Sequence, residues 1–258
     1  MTGPPTGPPE GEGAPRSRYP GRPEPKQPLP KRFFKVARAE RRGDGWLILL
    51  DDRPVRTPRK AELRLPTCDL AEAIVQEWSA QETVIDPATM PFTKLANTAI
   101  DRVRGREAEI VDEIVGFAGS DLLCYHADDP EELVALQAAV WDPVLAWMEE
   151  RHGVRFKVGT GIVHVQQSEG SLLCIRELVG RLDAFHLTAL HNMTTLTGSA
   201  ILALAHAEGR LSADAAWAAA HVDEDWQISK WGEDAEATRR RERRRGEMMS
   251  SSKLLVLL

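Results

Sequence analysis

Cys124 could act as a nucleophile, because His126 follows it two positions later in the sequence. A cysteine attacks or binds a metal as the thiolate, and a histidine that is close in space can take the thiol proton. Closeness in sequence does not establish that arrangement, and Leu123 and Tyr125 flank Cys124 in the manner of a packed core cysteine. The motif favours a structural cysteine, with a hydrolase that uses Cys124 as the alternative.

His221 and Asp225 could bind a metal ion, because residues four positions apart project from the same face of a helix. Asp223 and Glu224 lie between them and add two carboxylates; we call these four residues the His221 cluster. The sequence offers no second group of ligands at a recognisable spacing. The pattern therefore favours a solvated acidic helix face over a metal site, and we expect neither a metal nor another cofactor.

An arginine-rich run at residues 239–245 is the strongest basic feature of the chain. Such a run can contact nucleic acid or another anionic surface. Acidic residues precede it at 233–236, so the run can instead extend a solvated helix with ion pairs four residues apart. Because neither aromatic residues nor glycines interleave the arginines, we expect no nucleic-acid binding.

Residues 212–231 are predicted to form one long helix with an unusual mixture of aromatic and acidic side chains. A single stripe at helical spacing contains Trp217, His221, Glu224, Ile228 and Trp231. Burial in a core would explain the tryptophans but not the acids, whereas protein interfaces are rich in aromatic residues and use charge for specificity. Core packing and partner binding are both open at this point.

The composition fits a chain with one large domain or two modest ones, since 42% of its 258 residues are hydrophobic and 28% are charged. A net charge of −6 argues against a dedicated nucleic-acid binder. The wide spacing of Cys68, Cys124 and Cys174 predicts neither a disulfide framework nor a zinc cluster and favours a cytoplasmic compartment. We expect no membrane insertion, because no apolar run approaches the roughly 20 residues that span a bilayer.

The predicted fold class is α+β. Ten of the 17 prolines fall in residues 1–30, which we expect to be a disordered Pro/Gly-rich tail. Residues 31–103 alternate short apolar runs with turn residues and predict a small β-rich α+β domain. Residues 104–258 have helical periodicity and predict a larger, mainly helical domain with a short β-hairpin near 154–165. Gly159-Thr160-Gly161 would form the turn of that hairpin, since a phosphate-binding loop would lead into a helix.

Helices are predicted from caps and from the 3.6-residue period of apolar residues. Their expected positions are 70–81, 92–103, 107–119, 130–150, 177–183, 184–208 and 212–231. The predicted apolar face of the helix at 130–150 consists of Leu133, Leu136, Val140, Val144 and Trp147.

Several segments together resemble the assembly chaperones that act on the alpha subunit of the F-type ATP synthase catalytic head. They are WLILLDDRPVRTP (46–58), EWSAQETVIDPATMPFTKLANTAIDRV (77–103), GSDLLCY (119–125), WDPVLAW (141–147), HNMTTLTGSAILALA (191–205) and DEDWQISKWGEDAEA (223–237). The resemblance extends in order from about residue 31 to residue 245. It is therefore more specific than any single motif above.

The resemblance implies a small N-terminal α+β domain joined to a larger helical domain, in agreement with the patterns above. It implies a protein that is not an enzyme, that works without ATP, and that covers a surface of the new alpha subunit until a beta subunit replaces it. The partner-binding residues that it carries over to this chain are Asp223, Glu224, Trp226, Gln227 and Trp231. We expect a monomer in a bacterial cytoplasm. A hydrolase or metal-dependent enzyme that uses Cys124 or the His221 cluster is the alternative.

Overall fold

The computed structural model describes residues 28–161 and 163–258. Most of the predicted Pro/Gly-rich tail, residues 1–27, lies outside the described residues. Contacts with the folded part of the protein begin by residue 30, because the Pro30 carbonyl accepts a hydrogen bond from the Ile85 backbone N–H at 2.8 Å.

The N-terminal sheet is built around a central strand whose apolar run is buried. Strands β1 (Ala37–Arg42) and β2 (Gly45–Leu50) form an antiparallel hairpin. Strand β2 also pairs antiparallel with two short strands, β3 (Arg53–Pro54) and β4 (Arg64–Leu65). Residues 47–50 of β2 are all buried, which explains why this strand has consecutive apolar residues rather than the alternation of a strand with one solvated face.

Two helices cover this sheet. Helix α1 (Cys68–Ser79) is capped by Thr67, whose hydroxyl accepts a hydrogen bond from the Leu70 N–H at 3.3 Å. Helix α2 (Pro91–Thr98) continues as a π-helical turn over Ala99–Val103. Ile74 of α1 and Ile48 of β2 belong to one buried cluster with residues of α2.

The remainder of the chain is mainly helical. Its helices are α3 (Glu107–Gly119), α4 (Glu131–His152), α5 (Glu169–Val179), α6 (Ala184–Thr197), α7 (Ala200–Ala207), α8 (Ala213–Ala220), α9 (Val222–Trp231) and α10 (Ala235–Leu257). A large apolar core forms between them, and α6 and α10 also contribute Phe185, Ala189 and Leu254 to the cluster beneath the sheet. A small N-terminal sheet followed by a larger helical region, with 61% of the described residues in helices and 10% in strands, confirms the α+β class.

Three predicted helices differ from the structure in where they begin or are divided. The helix predicted at 184–208 is divided at Gly198, which adopts φ +71°, and the Ser199 hydroxyl caps α7 by accepting from the Leu202 N–H at 2.9 Å. The helix predicted at 212–231 is divided at His221 into α8 and α9. Helix α5 begins at Glu169, well before the predicted residue 177.

The hairpin predicted near 154–165 is wrong for the described residues. Instead, strand β6 (Gly159–Thr160) pairs in parallel with β5 (Tyr125–His126). The Gln167 side chain exchanges two hydrogen bonds with the Lys157 backbone, at 2.8 and 2.9 Å. Because this amide occupies the backbone groups that a hairpin partner would use, a second strand is not needed there.

Within the described part of the chain, no helix is both long enough and apolar enough to cross a bilayer.

Candidate functional site

The break at His221 separates the predicted aromatic stripe into a buried part and a surface part. His221 is 9% exposed, and its Nδ1 lies 2.7 Å from the Trp217 carbonyl oxygen. The two rings pack 3.9 Å apart, and Trp217 belongs to the helical core. Core packing therefore explains Trp217 and His221, whereas Trp231 on α9 is 74% exposed.

Asp223 is directed towards α4 and fixes the start of α9. Its Oδ1 accepts a hydrogen bond of 2.6 Å from Nε2 of Gln137, which is 1% exposed. The Oε1 atom of the same glutamine accepts from the Ala127 N–H at 2.7 Å. A buried amide that hydrogen-bonds to two segments at once orders both of them, so Asp223 helps to position α9 against α4.

Replacing Gln137 with methionine is expected to loosen α9. Methionine has similar length, but its thioether has no N–H to donate and accepts only weakly, so Asp223 and the Ala127 N–H lose their partner at a cost of about 2 kcal/mol. Hydrogen exchange of residues 222–231 should become faster. Gln76→Met, at an exposed position of α1, is the control and should leave that exchange unchanged; equal exchange in both variants would contradict the positioning role.

Glu224 and Asp225 meet an arginine from the basic run. Asp225 Oδ1 lies 2.5 Å from Arg241 Nη2, and Glu224 Oε2 lies 3.7 Å from Arg241 Nε. Arg244 donates to the Leu196 carbonyl at 2.7 Å, and Arg245 pairs with Asp214 at 2.5 Å. The run does extend a helix, α10, but these arginines contact other helices instead of forming the predicted pairs within their own.

Trp226 and Lys230 connect α9 to the start of α4. The Lys230 ammonium donates to Glu132 Oε2 at 2.7 Å and lies 5.6 Å from the centre of the Trp226 ring. Hydrogen bonding to Lys230 lowers the pKa of the exposed Glu132 carboxyl. Trp226 is half-buried, and its ring meets Trp231 edge to face with the centroids 5.6 Å apart.

A groove of about 270 Å³ lies between α9 and the start of α10; we call it the α9–α10 groove. Helix α9 contributes Glu224, Gln227, Ile228 and Trp231. The connection and α10 contribute Gly232, Glu233, Asp234, Ala237, Thr238 and Arg241. The groove thus brings together Glu224, Gln227 and Trp231 of the predicted site, whereas Asp223 and Trp226 face α4.

The alternative enzyme sites are not assembled. The Cys124 side chain is completely buried, and burial, followed by the charge of Asp121, raises the pKa of its thiol to about 12. A thiolate is therefore strongly disfavoured at neutral pH. In the His221 cluster, Asp223 is hydrogen-bonded to Gln137, and Glu224 and Asp225 both lie against Arg241. Across residues 28–161 and 163–258 no three His, Cys, Asp or Glu side chains are grouped to hold a metal ion.

Two contributors to this region were not found by reasoning from the sequence. Gln137 follows the buried Leu133 by four residues and precedes the buried Trp141 by four, a spacing that could have indicated an inward-facing amide. The sequence indicates Glu233, at the edge of the groove, only as part of the acidic stretch 233–236 and not as a site residue. It follows Gly232, where α9 ends with φ +86°.

Comparison with known proteins gives consistent matches. The family model for the ATP12 chaperone protein matches residues 31–149. The mitochondrial protein atp12 of Schizosaccharomyces pombe is 25% identical over 223 residues, which cover 81% of this chain and 77% of the yeast protein.

Two bacterial crystal structures are similar over most of their length. Atp12 from Paracoccus denitrificans is 41% identical with a TM-score of 0.85, and the match covers 88% of this chain and 98% of that one. A candidate chaperone from Agrobacterium tumefaciens is 44% identical with a TM-score of 0.86, over 89% of this chain and 86% of that one. The family expected from the sequence is thereby confirmed: this chain belongs to the ATP12 family of chaperone proteins.

Proposed function

We propose that this protein is an ATP-independent assembly chaperone of the F-type ATP synthase that binds the unassembled alpha subunit until beta subunits replace it. The α9–α10 groove is the proposed contact. The observation that carries this assignment is Trp231, a large aromatic side chain that is 74% exposed at the edge of an acidic groove. Membership of the ATP12 family and the resemblance of residues 223–237 to the family's acidic-aromatic segment support it.

The chemistry of the groove suits a partner that must be released. A subunit waiting for assembly exposes a surface that its neighbour will later cover, and such surfaces aggregate. An exposed tryptophan supplies much of the binding energy at an interface. The surrounding carboxylates make binding depend on charge complementarity, so that a better-matched subunit can displace the chaperone.

The proposal includes a non-enzymatic monomer in a bacterial cytoplasm. Two of the similar structures are from bacteria. Cys68, Cys124 and Cys174 are free thiols, which suits a reducing compartment. The buried, poorly ionised Cys124 weighs against the hydrolase alternative.

Replacing Trp231 with alanine is expected to weaken binding of purified alpha subunit by about 30-fold or more, the size of effect found for a central aromatic residue in an interface. The side chain is mostly exposed, so the folded state should be retained. Titration of alpha subunit gives the affinity, and light scattering without ATP reports how well its aggregation is suppressed.

Val256→Ala is the matched control, because Val256 is 82% exposed and lies at the opposite end of α10. It should bind within about twofold of the wild type, as expected for a substitution outside an interface. Failure of the wild-type protein to bind alpha subunit at micromolar concentration would contradict the proposed function. Equal binding of alpha subunit by the Trp231 and Val256 variants would show that the contact lies outside the groove.

A further inference from the structure

We propose that the α9–α10 groove recognises a partner segment in which an arginine or lysine stands next to an apolar side chain. This inference rests on the proposed function and adds the chemical class of the segment that is bound. It follows from the charge balance of the groove and from the position of its aromatic and apolar side chains.

The groove has an excess of negative charge. Glu224, Glu233 and Asp234 line it together with a single cationic residue, Arg241. The guanidinium of Arg241 is already paired at 2.5 Å with Asp225, outside the lining. Its positive charge is therefore largely compensated before a partner arrives.

Glu233 is the acid best placed to meet a new cation. It is exposed, and it forms no hydrogen bond or ion pair with any residue that the structure describes. Asp234 has a structural role, since its carboxylate caps α10 by accepting from the N–H groups of Glu236 and Ala237 at 3.1 and 2.8 Å. The Glu224 carboxylate already forms an ion pair with Arg241, with Oε2 3.7 Å from Nε. A partner cation would thus gain most from Glu233.

Trp231 and Ile228 explain why the segment should combine charge with apolar surface. Trp231 meets Trp226 edge to face, and with 74% of its surface exposed it can stack against a guanidinium or an ammonium. Ile228 is half-buried in the lining and offers contact to an apolar neighbour. The aliphatic stem of an arginine or lysine fits the same surface.

A second copy of this chain is a poorer match. Its run at residues 239–245 offers arginines, but that run contains only arginine and glutamate and has no apolar side chain for Ile228 and Trp231. Each copy also has a net charge of −6, which disfavours self-association. The observations therefore favour a segment of the client subunit.

The test compares two charge reversals of the same size, Glu233→Lys in the groove and Glu242→Lys on α10 outside it. Both positions are exposed, and Glu242 is absent from the lining. Affinity for purified alpha subunit is measured at low and at high salt. Glu233→Lys should weaken binding about tenfold at low salt and much less at high salt, where exposed charges are screened. Glu242→Lys should stay within about twofold of the wild type.

Each other outcome overturns the inference in a distinguishable way. If the wild type binds, Trp231→Ala loses binding and Glu233→Lys behaves like Glu242→Lys, the groove binds its client without a basic residue and the proposed function stands. If the wild type does not bind alpha subunit, the proposed function and the inference both fail. If sedimentation shows that the wild type alone dimerises and that Glu233→Lys separates the dimer, the occupant is a second copy.

Discussion

Replacing Glu77 with alanine is expected to lower the free energy of unfolding by about 3 kcal/mol, because one buried carboxylate caps a helix that has no cap of its own. Glu77 is 8% exposed. Its carboxylate accepts hydrogen bonds from the Phe92 N–H at 2.6 Å and from the Thr93 N–H at 2.8 Å. It also accepts from the Thr93 hydroxyl at 2.7 Å. Met90, at the cap position of α2, makes no side-chain capping bond, so the variant leaves two N–H groups unsatisfied.

Urea unfolding of the wild type and of two variants checks this prediction. Glu72→Ala is the control, since Glu72 lies on the same helix as Glu77 but is exposed; its effect should stay within about 0.5 kcal/mol. Equal unfolding midpoints for the two variants would show that the carboxylate of Glu77 is not needed to start α2.

Local sequence rules located the elements whose determinants are close in the chain. Thr67 caps α1, and the predicted range 107–119 coincides with α3. The same rules could not assign Glu77 its role, because they seek the cap of a helix among the residues next to its start. Glu77 reaches α2 only through the packing of one helix against another.

The buried face of α4 illustrates a second limit. Counting apolar residues predicted a face that includes Leu136 and Val140, yet these side chains are 43% and 36% exposed. The buried positions include Gln137 and Trp141 instead. A polar residue is admitted to the interior when its hydrogen bonds are satisfied, and the partners of Gln137 come from segments that are distant in sequence.

For the candidate site, the sequence pattern grouped aromatic and acidic residues on one segment but could not predict which way each side chain faces. The helix break at His221 could not be predicted from the sequence, because no glycine or proline lies there. As a result of this break, Asp223 is directed towards α4 while Glu224 and Trp231 line the groove. The opposite wall comes from α10, whose Arg241 compensates Asp225. Such charge compensation between helices depends on tertiary packing and cannot be predicted from the periodicity of the sequence.

Asp121 is the buried acid with the largest expected effect on pH dependence. It is fully buried, and its two carboxylate oxygens accept from the Leu123 N–H at 3.2 Å and from the Ile201 N–H at 3.1 Å. It thereby joins the turn before β5 to the start of α7. Burial is the largest influence and raises the pKa of Asp121 from its ordinary 3.8 to about 6, despite these hydrogen bonds.

Because the pKa of Asp121 is higher in the folded state, its contribution to stability is fully present below pH 3.8 and is lost as the pH rises through about 6. The free energy of unfolding of the wild type, relative to Asp121→Asn, should therefore fall by about 3 kcal/mol over this interval and level off above it. Urea unfolding at a series of pH values measures the difference. For the control Asp69→Asn, at an exposed position of α1, the free energy of unfolding should change with pH in the same way as that of the wild type. A difference that is constant with pH, or that grows as the pH rises, would mean that hydrogen bonding rather than burial governs the ionisation of Asp121.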